Sequence, residues 1–377
     1  MWIKLTNLKI YLIAGEASGD LHASNLMKEI IKKAPKTEFR YWGGDQMAAV
    51  SGTPVKHIKD LAFMGFIEVL MNLRTILKNI KSCKKDIEAY KPDALVLIDY
   101  PGFNLRIAKF AKARGIKVHY YVSPQIWAWK QKRGWKIKEI VDEMYCILPF
   151  EKEFYKKFDM EVNYVGHPLL DAIQNFQAVA LTESEFKTEL KLDDRKIIAL
   201  LPGSRKQEIK VKLPIMLAAV KGYEEYQLIV AGAPNLSEEF YKEIAGDQEM
   251  HWISNRTYDL LNNSYAALVT SGTATLETAL FNIPQVVCYK GSAISYQIIK
   301  RLIKVDYISL VNLISDKEVV TELIQGELTV ENIRRELKKI LGNTPERKLM
   351  LDEYAKMITL LGGGGASEKI ASLLLKD

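Results

Sequence analysis

LKIYLIAGEASGDLHASNLMKEIIKKA, residues 8–34, decides the fold. Residues 8–14 form a short apolar run without strict alternation, the pattern of a strand buried on both faces. The run stops at Gly15, and small residues carry the chain to Asp20, which is expected to cap a helix reading LHASNLMKEIIKKA. A buried strand turning directly into a helix opens a βαβ unit. The same reading repeats downstream. FRYWGG (39–44), ALVLID (94–99), VHYYVS (118–123), MYCILP (144–149) and NYVGHP (163–168) read as strands, and FNLRIAKFAKARG (103–115) as a helix closed by Gly115. The product is a parallel, doubly wound α/β sheet.

The pattern fades after His167-Pro168, and the polar, helix-prone stretch 174–195 reads as a connection between domains. A second series follows: KIIALLPGS (196–204), YQLIVAG (226–232), HWIS (251–254), AALVTSG (266–272) and QVVCYKG (285–291). The expected architecture is two Rossmann-like doubly wound domains facing across a cleft, residues 1–170 and 171–345. Residues 346–377, with the run Gly362 to Gly365, are expected to return as helices to the first domain. Such sheets bind ligands at the carboxyl ends of their strands.

Composition is consistent with this. A chain of 377 residues with 48% hydrophobic and 26% charged residues has material for two cores and is neither a disordered chain nor a disulfide scaffold. The net charge of +7 divides into +10 over residues 1–165 and −3 over 166–377. A basic front half suits an anionic partner, or is a solvated surface. Cys83, Cys146 and Cys288 are dispersed, which fits a reducing compartment and gives no metal framework. No apolar run approaches the roughly 18 residues of a membrane span. Lys4, Asn7 and Lys9 interrupt the N-terminal stretch, so a cytoplasmic address is expected.

There is no GxGxxG after the first strand, no P-loop, no HExxH and no DxD, and the five histidines show no ligand spacing. Three strand-end loops carry the functional signal. Gly15-Glu16-Ala17-Ser18-Gly19-Asp20 allows close backbone approach to a ligand, or is a tight turn with a helix cap. Pro202-Gly203-Ser204-Arg205 opens a helix, and its dipole and guanidinium suit a diphosphate; the alternative is a surface arginine paired with Glu208. Ser271-Gly272-Thr273-Ala274 could cradle a pyrophosphate, with Glu277 one turn on as an acceptor for ribose hydroxyls; alternatively it is an N-capped helix. Asp99, at a strand end before Tyr100-Pro101-Gly102, suits a general base, or caps the following helix or pairs with a lysine. Trp127 and Trp129 stand among Lys130, Lys132, Arg133, Lys136 and Lys138, which suits nucleic acid, a lipid headgroup or a sugar phosphate, or is a core-edge pair beside a solvated helix. The stretch 66–87 has apolar and basic residues at helical spacing, either a membrane-lying helix or one packed on the sheet, and Leu61–Ile67 is apolar enough to be an exposed patch.

Taken together, AGEASGD (14–20), GG (43–44), LAFMGFIEVL (61–70), IDYPGFN (98–104), YVSPQIWAWKQKR (121–133), LPFEKEFY (148–155), YVGHP (164–168), LPGSRKQEI (201–209), TSGTATLETAL (270–280) and DYISLVNLI (306–314) resemble the lipid-A-disaccharide synthases over nearly the whole chain. The resemblance implies a GT-B glycosyltransferase that is inverting and needs no metal or other cofactor. It would move 2,3-diacylglucosamine from UDP to the 6-hydroxyl of 2,3-diacylglucosamine 1-phosphate, giving a β-1,6 disaccharide and UDP. By position it implies Asp99 as catalytic base and Glu16, Ser18 and Gln125 on the acceptor or cleft side. Arg205, Ser271, Gly272, Thr273, Ala274, Glu277 and Asn312 fall on the UDP side. Phe63, Met64, Phe66, Ile67, Val69, Leu70 and Leu73 form the implied membrane or acyl-chain patch. It further implies a peripheral protein on the anionic inner face of the inner membrane, and a homodimer exchanging C-terminal segments about the glycine run.

Three positions depart from the family pattern. Gly102 replaces an Asp found in many members, so Asp99 is expected to act without an adjacent acid; Gln125 replaces a Ser and Val311 a Pro. Rival readings are a UDP-N-acetylglucosamine epimerase, a transferase with another lipid acceptor, or a non-enzymatic binder of nucleic acid or acidic membrane. The absence of RNA-binding, helix-turn-helix and zinc-finger signatures argues against nucleic acid.

Overall fold

A computed structural model of the chain describes residues 7–61, 72–234, 236–292, 296 and 305–376. The chain divides into two compact units, Met1–Pro168 with Gly363–Asp377, and Leu169–Gly362.

The first unit is built on seven parallel strands: β1 (Lys9–Ala14), β2 (Glu38–Gly43), β3 (Lys56–His57), β4 (Ala94–Ile98), β5 (Lys117–Tyr121), β6 (Glu143–Cys146) and β7 (Asn163–Tyr164), in the order β3-β2-β1-β4-β5-β6-β7. Ile10 to Ala14 and Leu95 to Ile98 are fully buried, as continuous apolar runs between helix layers must be. Winding reverses between β1 and β4, where Ala14 pairs with Ile98.

The second unit has β8 (Lys196–Leu201), β9 (Tyr226–Gly232), β10 (His251–Ser254), β11 (Ala266–Thr270), β12 (Gln285–Tyr289) and β13 (Glu322–Ile324), all parallel, in the order β10-β9-β8-β11-β12-β13. Its reversal lies between β8 and β11, where Leu201 pairs with Val269. The connection expected at 174–195 contains two helices, Pro168–Gln177 and Glu183–Glu189, the second with a full capping box from Thr182 and Glu185.

Two expectations need correction. The first helix runs Ala17–Lys33, with extended Glu16 as its N-cap, so Asp20 lies inside its first turn. The Asp20 carboxylate instead caps the neighbouring helix Asp45–Ser51, whose own N-cap, Gly44, has no side chain to do so. Asp20 accepts from the backbone N–H groups of Gly44 (2.6 Å), Gln46 (2.9 Å) and Met47 (3.2 Å). Second, the segment after residue 345 does not return as one piece. Helix Pro345–Leu361 packs within the second unit, against helices Val330–Ile340, Leu310–Ser315 and Thr273–Leu280. Only Ala366–Leu374 reaches the first unit. There Ala366, Ile370, Ala371 and Leu374 join Ala23, Leu26, Met27 and Ile30 of the first helix in one buried cluster. The glycine run is where the chain passes from one unit to the other.

Among the described residues, no helix is long and apolar enough to cross a membrane. Phe63, Met64, Phe66, Ile67, Val69 and Leu70 lie outside the described residues. Leu73 opens helix Leu73–Tyr90 and is exposed, as is Leu77 one turn later.

Asp20→Ala would leave three N–H groups without their acceptor and should lower stability by about 1–3 kcal/mol, read as an earlier urea midpoint. An unchanged midpoint would show that water satisfies these donors equally well.

Candidate functional site

The pairing of Ala14 with Ile98 sets Gly15-Glu16 beside Asp99-Tyr100. Asp99 (φ 44°) and Tyr100 (φ 48°) both lie in the left-handed region, so the chain turns sharply from strand into helix Pro101–Lys112. Non-glycine residues there cost about 1–2 kcal/mol each, so the surroundings must hold the turn. They do so through the Asp99 backbone. Its carbonyl accepts from Asn104 Nδ2 (2.8 Å) and the Tyr120 hydroxyl (2.6 Å), and its N–H donates to the Tyr121 carbonyl (2.9 Å). Asn104 is fully buried and its amide also reaches the Ile98 carbonyl at 3.2 Å. The Tyr100 ring lies over Gly15, where an added Cβ would fall 2.4 Å from ring carbons.

This arrangement leaves the Asp99 side chain with no role in capping. Tyr100 is the N-cap of the following helix and makes no side-chain cap bond, and among the described residues Asp99 forms no ion pair. Burial, then the nearby charge of Glu16, raises the Asp99 carboxyl to about 6. The expectation of an acid acting without an acidic neighbour is therefore corrected: Glu16 supplies the negative charge that Gly102 does not. A side chain at Gly102 would meet nothing within 4 Å. Ser18 is exposed in the first turn of helix Ala17–Lys33.

The Trp segment divides. Trp127 is buried, edge-on to Phe150 at 5.0 Å, whereas Trp129 is exposed with Lys130 Nζ 3.8 Å from its ring centroid. Trp135, in helix Arg133–Ile140, is exposed as well, and Gln125 lies at the surface of the loop before that helix.

In the second unit, the pairing of Leu201 with Val269 brings the other two loops together. They line a cavity of about 380 Å³ with Gly203, Ser204, Arg205, Glu208, Thr270, Ser271, Gly272, Thr273, Ala274 and Glu277 on its walls. Gly272 (φ 139°) takes a conformation closed to other residues and starts helix Thr273–Leu280, whose first N–H groups have no side-chain cap. Arg205 is the N-cap of helix Lys206–Val220 and lies 3.4 Å from Glu208, so the surface pair and the cavity wall are the same residue. Ser271 Oγ donates to the Ile308 carbonyl (3.1 Å). Glu277 accepts from the Tyr258 hydroxyl (3.0 Å), and burial raises its pKa.

Asn312 does not line this cavity. It is fully buried, its Nδ2 donates to the Val320 carbonyl (2.8 Å) and Glu322 (2.9 Å), and its Oδ1 accepts from the N–H groups of Val319 and Val320. Those bonds consume the amide in shaping the 309–322 segment. The sequence reading missed two contributors. The end of β9, Ala231-Gly232-Ala233-Pro234, forms a further wall, signalled by the same run of small residues at a strand end. Buried Lys212 bonds Thr270 Oγ1 beneath the cavity, and it sits at helical spacing from buried Ile209, Leu213 and Met216. Among the described residues no three His, Cys, Asp or Glu side chains gather as a metal site.

The family model described as Lipid-A-disaccharide synthetase matches residues 10–373. Similar proteins include the lipid-A-disaccharide synthases of Syntrophus aciditrophicus, 40% identical over 97% of this chain and 97% of the relative, and of Geobacter metallireducens, 38% identical over 98% and 97%. Similar solved structures include the UDP-GlcNAc 2-epimerase of Neisseria meningitidis bound to UDP-GlcNAc, with TM-score 0.70, 14% identity and coverage of 98% of this chain and 100% of that one. A glycosyltransferase of Rickettsia africae gives TM-score 0.57 at 13% identity, over 99% and 100%. At these identities the structural likeness shows the fold alone, the GT-B pairing of Rossmann-like domains.

Gly15→Ala would drive a methyl group into the Tyr100 ring, and overpacking of this kind typically costs about 1–3 kcal/mol. Thermal unfolding of the variant should begin earlier, and an unchanged transition would show that the ring shifts freely.

Proposed function

The chain belongs to the lipid-A-disaccharide synthases, UDP-dependent hexosyltransferases that join two diacylglucosamines β-1,6, and from that membership we propose how its residues do the work. Asp99 is the general base. Its carboxylate takes the proton of the acceptor 6-hydroxyl while that oxygen attacks the anomeric carbon of the donor sugar. The bond from the anomeric carbon to the diphosphate breaks, and UDP leaves with the electron pair. The observation that carries this reading is the Asp99 elbow: a carboxylate at a sheet's switch point, held by its own backbone bonds and not tied to a cation among the described residues.

The cavity of the second unit is the UDP seat. Arg205 and the first N–H groups of helix Thr273–Leu280 stabilise the departing diphosphate, and Ser271 and Ala274 shape the turn that admits it. Glu277 accepts ribose hydroxyls. Glu16 and Ser18 stand on the acceptor side with Gln125. Asn312 serves by holding the 309–322 segment.

The lipid substrates call for work at an anionic membrane surface. Exposed Leu73 and Leu77 beside Arg74 and Lys78, and exposed Trp129 and Trp135 among lysines, support that reading. The run Gly362–Gly365 supports a homodimer that exchanges its C-terminal helices.

The deciding experiment is a detergent-micelle assay with UDP-diacylglucosamine, diacylglucosamine 1-phosphate and EDTA. Wild type should yield disaccharide, and Asp99→Ala should lose about 10²–10⁴-fold in turnover while still binding UDP. UDP release without acceptor would point to a hydrolase or epimerase, and full turnover of the variant would remove Asp99 as base.

The base works deprotonated, so kcat/KM should fall about tenfold per pH unit below about 6. Glu16 raises the Asp99 pKa, so Glu16→Gln lowers it and should move this acid limb to lower pH. A limb that stays in place would show the two carboxylates to be uncoupled.

A further inference from the structure

A seat for a diphosphate should not present carboxylates, yet Glu208 and Glu277 both line this cavity. Glu277 is accounted for by the Tyr258 hydroxyl and by burial, which favours its neutral form. Glu208 lies between two cations, with Oε1 3.4 Å from Arg205 Nη1 and Oε2 3.5 Å from Lys212 Nζ. The cations differ in one respect. The Arg205 side chain is 60% exposed, whereas that of Lys212 is 2% exposed. The Lys212 ammonium is also fixed to Thr270 Oγ1, at the end of β11 directly before Ser271-Gly272. A Cβ on Gly203 would fall 3.4 Å from Lys212 Nζ and 2.8 Å from Glu208 Oε2, so the pair lies directly under the glycine turn.

We propose that Lys212 is a positioning residue for the diphosphate, neutralising Glu208 from beneath so that Arg205 can leave Glu208 and meet the departing UDP. The proposal rests on assigning this cavity to UDP. The physical argument is one of competition. A bound diphosphate would compete with Glu208 for Arg205, and charges interact more strongly where water is excluded. With Lys212 in place, Glu208 keeps a counter-charge wherever Arg205 goes. Without it, Arg205 is held back by Glu208, or a bare carboxylate faces an incoming polyanion. Lys212 is not on the cavity wall, so it acts through Glu208 and Thr270 and not by touching the nucleotide. An ammonium among Ile209, Leu213 and Met216 is costly to bury, which is the price of a cation that cannot swing away.

The test is calorimetric titration of the full-length protein with UDP, comparing wild type, Lys212→Met, Glu208→Gln and the double variant. Lys212→Met should weaken UDP binding about tenfold or more, since it leaves an uncompensated carboxylate at an anion site. Glu208→Gln should bind at least as tightly as wild type, and the double variant should recover to within about threefold of it. Recovery on removing the opposite charge separates this role from packing, which a second substitution would not restore. Unchanged affinity in Lys212→Met, or a double variant as weak as Lys212→Met, overturns the proposal. If Lys212→Met does not fold, Glu208→Gln decides alone, because weaker UDP binding there would show Glu208 to be a direct ligand. Arg205→Ala is the control for the underlying reading. Affinity unchanged by that substitution, or no UDP binding by wild type, overturns the UDP seat and this proposal with it.

Discussion

Parallel pairing at the two switch points is the constraint from which the loop cluster of each unit follows. In a parallel sheet every strand ends on the same edge, and each must be followed by a crossover. Where winding reverses, two neighbouring strands send their crossovers to opposite faces, and their end loops are left side by side. Ala14 against Ile98 does this in the first unit, and Leu201 against Val269 in the second. Neither Asp99 nor Arg205 is brought to its place by side-chain contacts. The ladder brings them, and local bonds then fix their aim. For Asp99 those bonds come from Asn104 and Tyr120, which donate to its backbone carbonyl.

The two units put opposite electrostatics on this common frame. The first places Glu16 near Asp99, and burial together with that charge raises the Asp99 carboxyl to about 6. The second places Arg205, Lys212 and a helix N-terminus around Gly203 and Gly272. The proposed displacement, which removes a proton and expels a diphosphate, would use this division. Raising the pKa of a base requires desolvation and like charge, whereas holding a leaving anion requires fixed donors.

Strand-end loops were legible because they combine two independent signals, an apolar run that stops and a cluster of small residues that follows. That combination located Gly15–Asp20, Pro202–Arg205 and Ser271–Ala274, and the wall at Ala231–Pro234 carries it too. What misled was chemistry with more than one local outlet. Asp20 is a good N-cap residue, but the helix begins at Ala17, so its carboxylate caps the helix that starts after Gly44. Asn312 is a good ligand amide, but its four bonds go to Val319, Val320 and Glu322. Local pattern does not tell which of several partners a polar side chain will meet. Lys212 is the converse case, because a lysine at an apolar register position is itself a signal of a buried counter-charge.

The fold and the sequence answer different questions about this chain. At 10–17% identity, UDP-N-acetylglucosamine epimerases and glycosyltransferases share its two-domain architecture, so architecture does not choose between them. An epimerase acts on one sugar nucleotide and returns it; a transferase must also seat and deprotonate an acceptor. The features we assign to the second task lie in the first unit. They are the left-handed Asp99-Tyr100 elbow, the Gly15 contact that packs it, and the Glu16 charge that tunes it. A UDP seat in the second unit, as proposed, would be common ground for both chemistries. The family match makes the transferase assignment, and the strained turn after β4 is the element on which the proposed role of Asp99 stands.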